Sequence, residues 1–349
     1  MKRFYAVFSA ILILALAAFI TFKIQAAAEK LPVRQYFPAK ANVAVWDWTN
    51  PSSRSAEDLK QLDNFYYLHQ IDIVYLDIGS YYEINKSGDK QKQQQLENSI
   101  TQYIKAVRNH GVRVFAAGGD TDWSKPGLRQ IPLAIQDYVY AYNARHPNAR
   151  LSGMEFDIES YNQEGFPQSS DTEKSIVLNE LLDTVSQIAQ KHKAYTQDKK
   201  HKPLEIGFAV PYWFDNENGN IPVITRNGKT GPTLYHLVDN LNQLSAANIT
   251  VMAYRNAASG NDGSIFHSRL EVQYAQSKAS NVKVMIGQEV NDVEPAKITF
   301  FGTSMSELSA QARIINDEFK SYRSYGGIAI NDLKGLQALD SAGSKDKLL

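Results

Sequence analysis

Eight short apolar, β-prone runs recur along the chain, and stretches with helical spacing lie between them. The runs are "NVAVWDW" (42–48), "IDIVYLDIG" (71–79), "VRVFAAGG" (112–119), "LSGMEFDIE" (151–159), "LEIGFAVPYWF" (204–214), "NITVMAYR" (248–255), "VKVMIGQEV" (282–290) and "GGIAINDL" (326–333). Between them, residues 95–111 place Ile100, Ile104 and Val107 on one helical face. Residues 171–192 and 306–322 show the same three-and-four spacing. Strand-then-helix, eight times over about 300 residues, predicts a single (β/α)8 TIM barrel spanning 42–340, with a flexible tail at 341–349. A doubly wound open sheet would put a Gly-rich turn after its first strand, and "AVWDWTNPSS" has none.

The first 41 residues do not follow this rhythm. Lys2 and Arg3 precede an uncharged run from Phe4 to Phe22, and Ala26, Ala27 and Ala28 follow it. This reads as a signal peptide or an uncleaved signal anchor over residues 1–28, with the N-terminus inside. Residues 29–41, with Pro32 and Pro38, read as a spacer. The barrel is then expected to be exported, periplasmic or extracellular, and tied to the cytoplasmic membrane by residues 4–22 if the segment stays.

Composition narrows the chemistry. The chain has no cysteine, which removes disulfides, thiol catalysis, thiolate metal sites and a lipidated cysteine. With 37 basic and 37 acidic residues the formal charge is zero, so no global field recruits nucleic acid. The basic run at 190–202 reads as a solvated helix end. None of the seven histidines pairs at metal-ligand spacing, and neither a metal nor another cofactor is expected.

The fourth run carries the most unusual pattern. Glu155, Asp157 and Glu159 alternate with Met154, Phe156 and Ile158. In a barrel strand the apolar set faces the helices, so the acids face the interior and climb toward the C-terminal mouth. Rungs roughly 6.6 Å apart cannot all stay charged there. A shared proton, a raised pKa or a cationic partner is expected. Glu159, at the end of the run, is the candidate catalytic acid, and Glu155 a supporting group.

Large aromatics collect at the same end. Trp46, Trp48, Trp123, Trp213, Tyr212 and Tyr254 all fall at strand ends or just beyond, as flat rings presented to a ligand would. Sugars suit such a rim, so an oligosaccharide or polysaccharide is the expected partner. Asp120 and Asp332 are supporting acids at this mouth. Glu289, closing the seventh run, is placed to pair with Glu159 across the barrel as glycoside hydrolysis requires. Arg255, closing the sixth, is the nearest cation to hold one acid ionised.

These residues resemble the family 18 glycoside hydrolases, the chitinase-like group, over about residues 42–340. The family's strand-four motif is D-x-x-D-x-D-x-E. "SGMEFDIE" keeps Asp157 and Glu159, with Ser152 and Glu155 at the first two acidic positions. "AAGG" (116–119) is similar to the family's S-x-G-G, with Ala116 for Ser, and "MAYR" (252–255) to its M-x-Y-D, with Arg255 for Asp. Asn331 stands where the family has a tryptophan on its last strand. The resemblance implies a divergent member in which Glu159 is the acid and Asp157 orients the substrate. The expected function is an exported glycoside hydrolase acting on an envelope or extracellular polysaccharide, with Glu289 as nucleophile or base. The alternative is a non-catalytic, envelope-anchored glycan-binding barrel in which Arg255 neutralises Glu159.

Overall fold

The computed structural model describes Phe37 and residues 42–345, except 199, 218, 220, 279 and 280. The expected signal or anchor at 1–28, the spacer apart from Phe37, and the end of the expected tail lie outside the described residues. Phe37 is buried against the core. Among the described residues no helix is long and apolar enough to cross a membrane.

Eight parallel strands close a barrel. In chain order they are β1 (Asn42–Asp47), β2 (Ile73–Asp77), β3 (Arg113–Gly118), β4 (Gly153–Phe156) and β5 (Glu205–Pro211), then β8 (Ala247–Met252), β9 (Val282–Glu289) and β10 (Tyr325–Asn331). A small antiparallel hairpin, β6 (Ile224–Arg226) with β7 (Lys229–Gly231), interrupts the series between β5 and β8. Its residues carry no alternation that marks them as strand, and the sequence reading passes over them. The expected α/β barrel is therefore the fold of this chain.

Two clusters of buried residues show how the strand alternation is used. Met154, Phe156 and Ile158 join the cluster between strands and helices. Trp46, Ile73, Tyr75, Phe115, Ala117 and Met285 form a second cluster inside the barrel. The interior is lopsided, with big rings on β1, β2 and β3: Trp46 lies 5.1 Å from Tyr75, and Tyr75 lies 5.7 Å from Phe115, centroid to centroid. Glycines on the facing strands make room. A Cβ on Gly153 would lie 2.5 Å from the Phe115 ring, and one on Gly207 would lie 1.7 Å from Glu155 Oε2.

Local signals set several helix starts. Helix Asp171–Gln197 begins with a capping box, in which Ser170 and Glu173 each accept from the other's backbone N–H. Ser170, one residue before the stretch with helical spacing at 171–192, is the cap. The last helix, Leu333–Lys345, continues past residue 340. Strand β4 is shorter than its run suggests, ending at Phe156. Asp157 N still donates to Gly118 O at 3.1 Å, and Glu159 then departs from extended backbone at φ −89°, ψ 56°.

Gly207 is a direct test of this interior. Gly207→Ala forces its methyl onto Glu155 and should cost at least about 2 kcal/mol in urea unfolding. Gly127→Ala, where nothing lies within 4 Å, should stay within about 0.5 kcal/mol of wild type.

Candidate active site

Two adjoining depressions open at the C-terminal mouth. The first, about 230 Å³, is lined by Trp46, Trp48, Asp157, Glu159, Met252, Tyr254 and Asn331. The second, about 220 Å³, is lined by Trp48, Gly119, Asp120, Thr121, Asp157 and Glu159. Trp48, Asp157 and Glu159 belong to both, so the acids stand between two compartments.

Their positions follow from strand ends. β3 and β4 approach so closely beyond Gly118 that a Cβ on Gly119 would lie 1.8 Å from the Asp157 carbonyl oxygen. Only glycine fits there, and it fixes where β4 delivers Asp157. Glu159 is held from below and from the side: Tyr161 donates its hydroxyl to Oε1 at 2.8 Å, and Asn162 donates its amide to Oε2 at 2.6 Å. Tyr161 is itself buried, with the Trp213 ring edge-on at 5.0 Å. Asn162 was not singled out in sequence; it lies in a turn that no periodicity marks.

Asp157 has no such partners. Its Oδ1 is buried and makes no hydrogen bond. Burial, and then the charge of Glu159, raise its carboxyl from the usual carboxylate range to about 7. Glu155, deeper in the barrel and 1% exposed, accepts from Thr250 Oγ1 at 2.9 Å. Its carboxyl is also pushed well up, chiefly by burial and secondarily by the charges of Glu205 and Asp157. Tyr254 lies over Gly287, whose added Cβ would stand 3.0 Å from the ring. Burial and the charges of Glu289, Asp157 and Glu159 keep its phenol protonated.

Glu289 is differently placed. Oε1 accepts from the backbone of Val290 and Asn291 at 2.8 and 2.7 Å and from the Asn291 amide at 2.8 Å. Oε2 accepts from Asn331 Nδ2 at 2.7 Å. Burial raises its carboxyl while these bonds lower it. Asn331, with its amide fixed this way, presents Oδ1 to Trp48 Nε1 at 3.0 Å. A continuous chain of hydrogen bonds thus runs from β9 through β10 to the exposed indole of Trp48.

Other expected site residues lie elsewhere. Arg255 does not reach Glu159: it donates to Asp262 at 2.8 Å and to the Tyr254 carbonyl at 2.7 Å, and stacks over Tyr212 at 5.3 Å. Tyr212 meets His267 on its other contact, at 4.2 Å. Trp123 is buried against Gly118 in the outer core. Trp213 packs on Tyr161, Phe166 and Phe214. Asp332 accepts from Gly335 N at 3.0 Å at the start of the last helix. Asp120 is exposed in the second depression and accepts from Asp122 N at 2.8 Å. Among the described residues no group of three or more His, Asp or Glu is arranged to hold a metal.

The raised Asp157 carboxyl makes stability depend on pH. Unfolded, it loses its proton near 3.8; folded, near 7. Between these values the folded state holds a proton that the unfolded state releases, so stability falls as pH rises, by roughly 4 kcal/mol in all. Asp157→Asn should make that fall shallower, measured as urea midpoints from pH 4 to pH 8, with the remainder carried by acids such as Glu155 and Asp215 whose carboxyls burial also raises. An unchanged slope would show that another group carries it.

No family model matches the sequence, and no curated protein matches it. Solved structures do match in shape. A GH18 chitinase from Pseudoalteromonas aurantia superposes at TM-score 0.53 with 12% identity, covering 88% of this chain and 100% of that one. The catalytic domain of β-amylase from Paenibacillus polymyxa gives 0.49 and 9%, covering 86% and 94%. A GH18 chitinase from Cycas revoluta in complex with (GlcNAc)3 gives 0.47 and 10%, covering 84% and 96%. At these identities the likeness is one of fold: the chain is built on the (β/α)8 frame that the Pseudoalteromonas chitinase also uses.

Proposed function

We propose that this protein is a glycoside hydrolase in which Glu159 is the general acid. The observation that carries this reading is the position of Glu159 and Asp157, shared by two depressions that meet at the Trp48 ring. A sugar chain laid across both would set one glycosidic bond above the acids. Glu159 gives its proton to the bridging oxygen, the C1–O bond breaks, and positive charge develops on the ring carbon and oxygen. Asp157, holding its own proton up to about pH 7, has a hydrogen bond to offer to the substrate or to Glu159. Trp48, Trp46 and Tyr254 supply rings for the sugar faces.

Glu289 takes a different role in this reading. A carboxylate that already accepts four hydrogen bonds is a poor nucleophile, and it serves to position Asn331 and Trp48. The group that completes the displacement is then a water or a group on the substrate itself. The non-catalytic alternative loses its neutralising cation, because Arg255 is bound to Asp262. Export to the envelope or beyond, with a polysaccharide as substrate, is proposed on residues 2–28 and on the exposed Trp48 ring at the mouth.

Oligosaccharide panels of N-acetylated and plain hexoses, with products read by mass spectrometry, test the proposal. Wild type should cleave one class, and Glu159→Gln should lose about 10²- to 10⁴-fold in kcat. Glu289→Gln should lose no more than roughly tenfold, mainly in KM, if it acts through Trp48. Binding without cleavage by both wild type and Glu159→Gln would sink the hydrolase and leave a glycan-binding barrel.

A further inference from the structure

The opposite end of the barrel holds a second cavity, about 500 Å³, lined by residues at the N-terminal ends of the strands. It shares no residue with the carboxylate site. Three cations reach it, Arg113, Lys283 and Arg323, against one acid, Glu205. That acid is fully engaged: Oε2 accepts from Arg113 Nη1 at 3.1 Å, and Oε1 from Asn248 Nδ2 at 3.2 Å. The Lys283 ammonium donates to the Arg323 carbonyl, which brings the two side chains to the same rim. Gln276 accepts from Ser324 N through its carbonyl at 3.2 Å, so its NH2 is left to donate.

The inner end of the cavity is closed by buried side chains. Tyr75 is fully buried and lines the inner end of the cavity, with its hydroxyl beside Thr250. Two acceptors, Glu155 Oε2 and Asn248 Oδ1, are without partners. Both come within 2.4 Å of the point where a side chain on Gly207 would begin. One proton on Glu155 satisfies this pair together.

We infer that this cavity binds a sugar-sized anion through its carboxylate or phosphate group. Surplus positive charge and free N–H donors select an oxyanion. The volume is of the size that encloses a small organic ligand and is far more than one halide fills. Arg113 and Arg323 present planar donors suited to two-point contact with carboxylate or phosphate oxygens. The site is independent of the hydrolase reading, since none of its residues lines the other mouth.

Isothermal titration of the full-length protein at constant ionic strength decides the matter, with galacturonate, galactose 6-phosphate and neutral galactose as probes. At least one of the anionic sugars should bind no less than tenfold more tightly than galactose, and which one does so names the anionic group. The Arg323→Gln, Lys283→Gln double variant, altered only at the exposed rim, should weaken that binding at least tenfold. Trp48→Ala should leave it unchanged, which separates this cavity from the catalytic face. Equal binding of galactose, no binding of either anion, loss in Trp48→Ala, or an unaffected double variant would each overturn the proposal.

Discussion

A carboxylate taken out of water inside a barrel costs several kcal/mol unless it meets a cation or keeps its proton. Glu155 and Asp157 meet no cation. The interior around them is arranged accordingly. Gly207 yields its side-chain space to Glu155, and Gly119 lets the backbone of Asp157 approach β3. Both acids hold protons above the ordinary carboxylate range. The barrel therefore gives up some stability near neutral pH to keep a proton-bearing column on its axis.

The frame was legible because burial acts on alternation. In "MEFDI" the apolar residues had one place to go, the layer between strands and helices, and they are there. Trp46 and Trp48 were legible as mouth residues for the same reason, as every second residue of β1 faces inward. What alternation does not encode is where a side chain's polar atoms end. Glu289 lies on the inward face, but its carboxylate is taken by the turn that follows it, in bonds to Val290 and Asn291 that no spacing announces. Arg255 follows the same logic, turning to Asp262, seven residues on in an irregular loop. Trp123 and Trp213 sit beyond strand ends, where chain direction is set by loop packing, and both turn inward to it.

Two arms hold the site from opposite sides. On one, β9 and β10 reach Trp48 through Glu289 and Asn331. On the other, the segment after β4 holds Glu159 through Tyr161 and Asn162, with Trp213 behind Tyr161. The arms differ in rigidity. The first is anchored on ladder positions, Asn331 and Glu289 being register partners in neighbouring strands. The second depends on a short 3-10 turn, Ser160–Asn162. Displacement of the acid relative to the ring is thus easier than displacement of the ring.

The Trp48 indole has an optical consequence. It is 36% exposed, whereas Trp46 and Trp123 are 2% and 7% exposed and Trp213 is half-buried among Tyr161, Phe166 and Phe214, and it borders both depressions. Its emission is therefore the solvent-relaxed, red-edge part of the protein's fluorescence. Any ligand that enters either compartment displaces water from that ring and moves the emission toward the blue. The molecule carries an intrinsic chromophore for occupancy of its own cleft, and affinities can be read from it without a label or a turnover event.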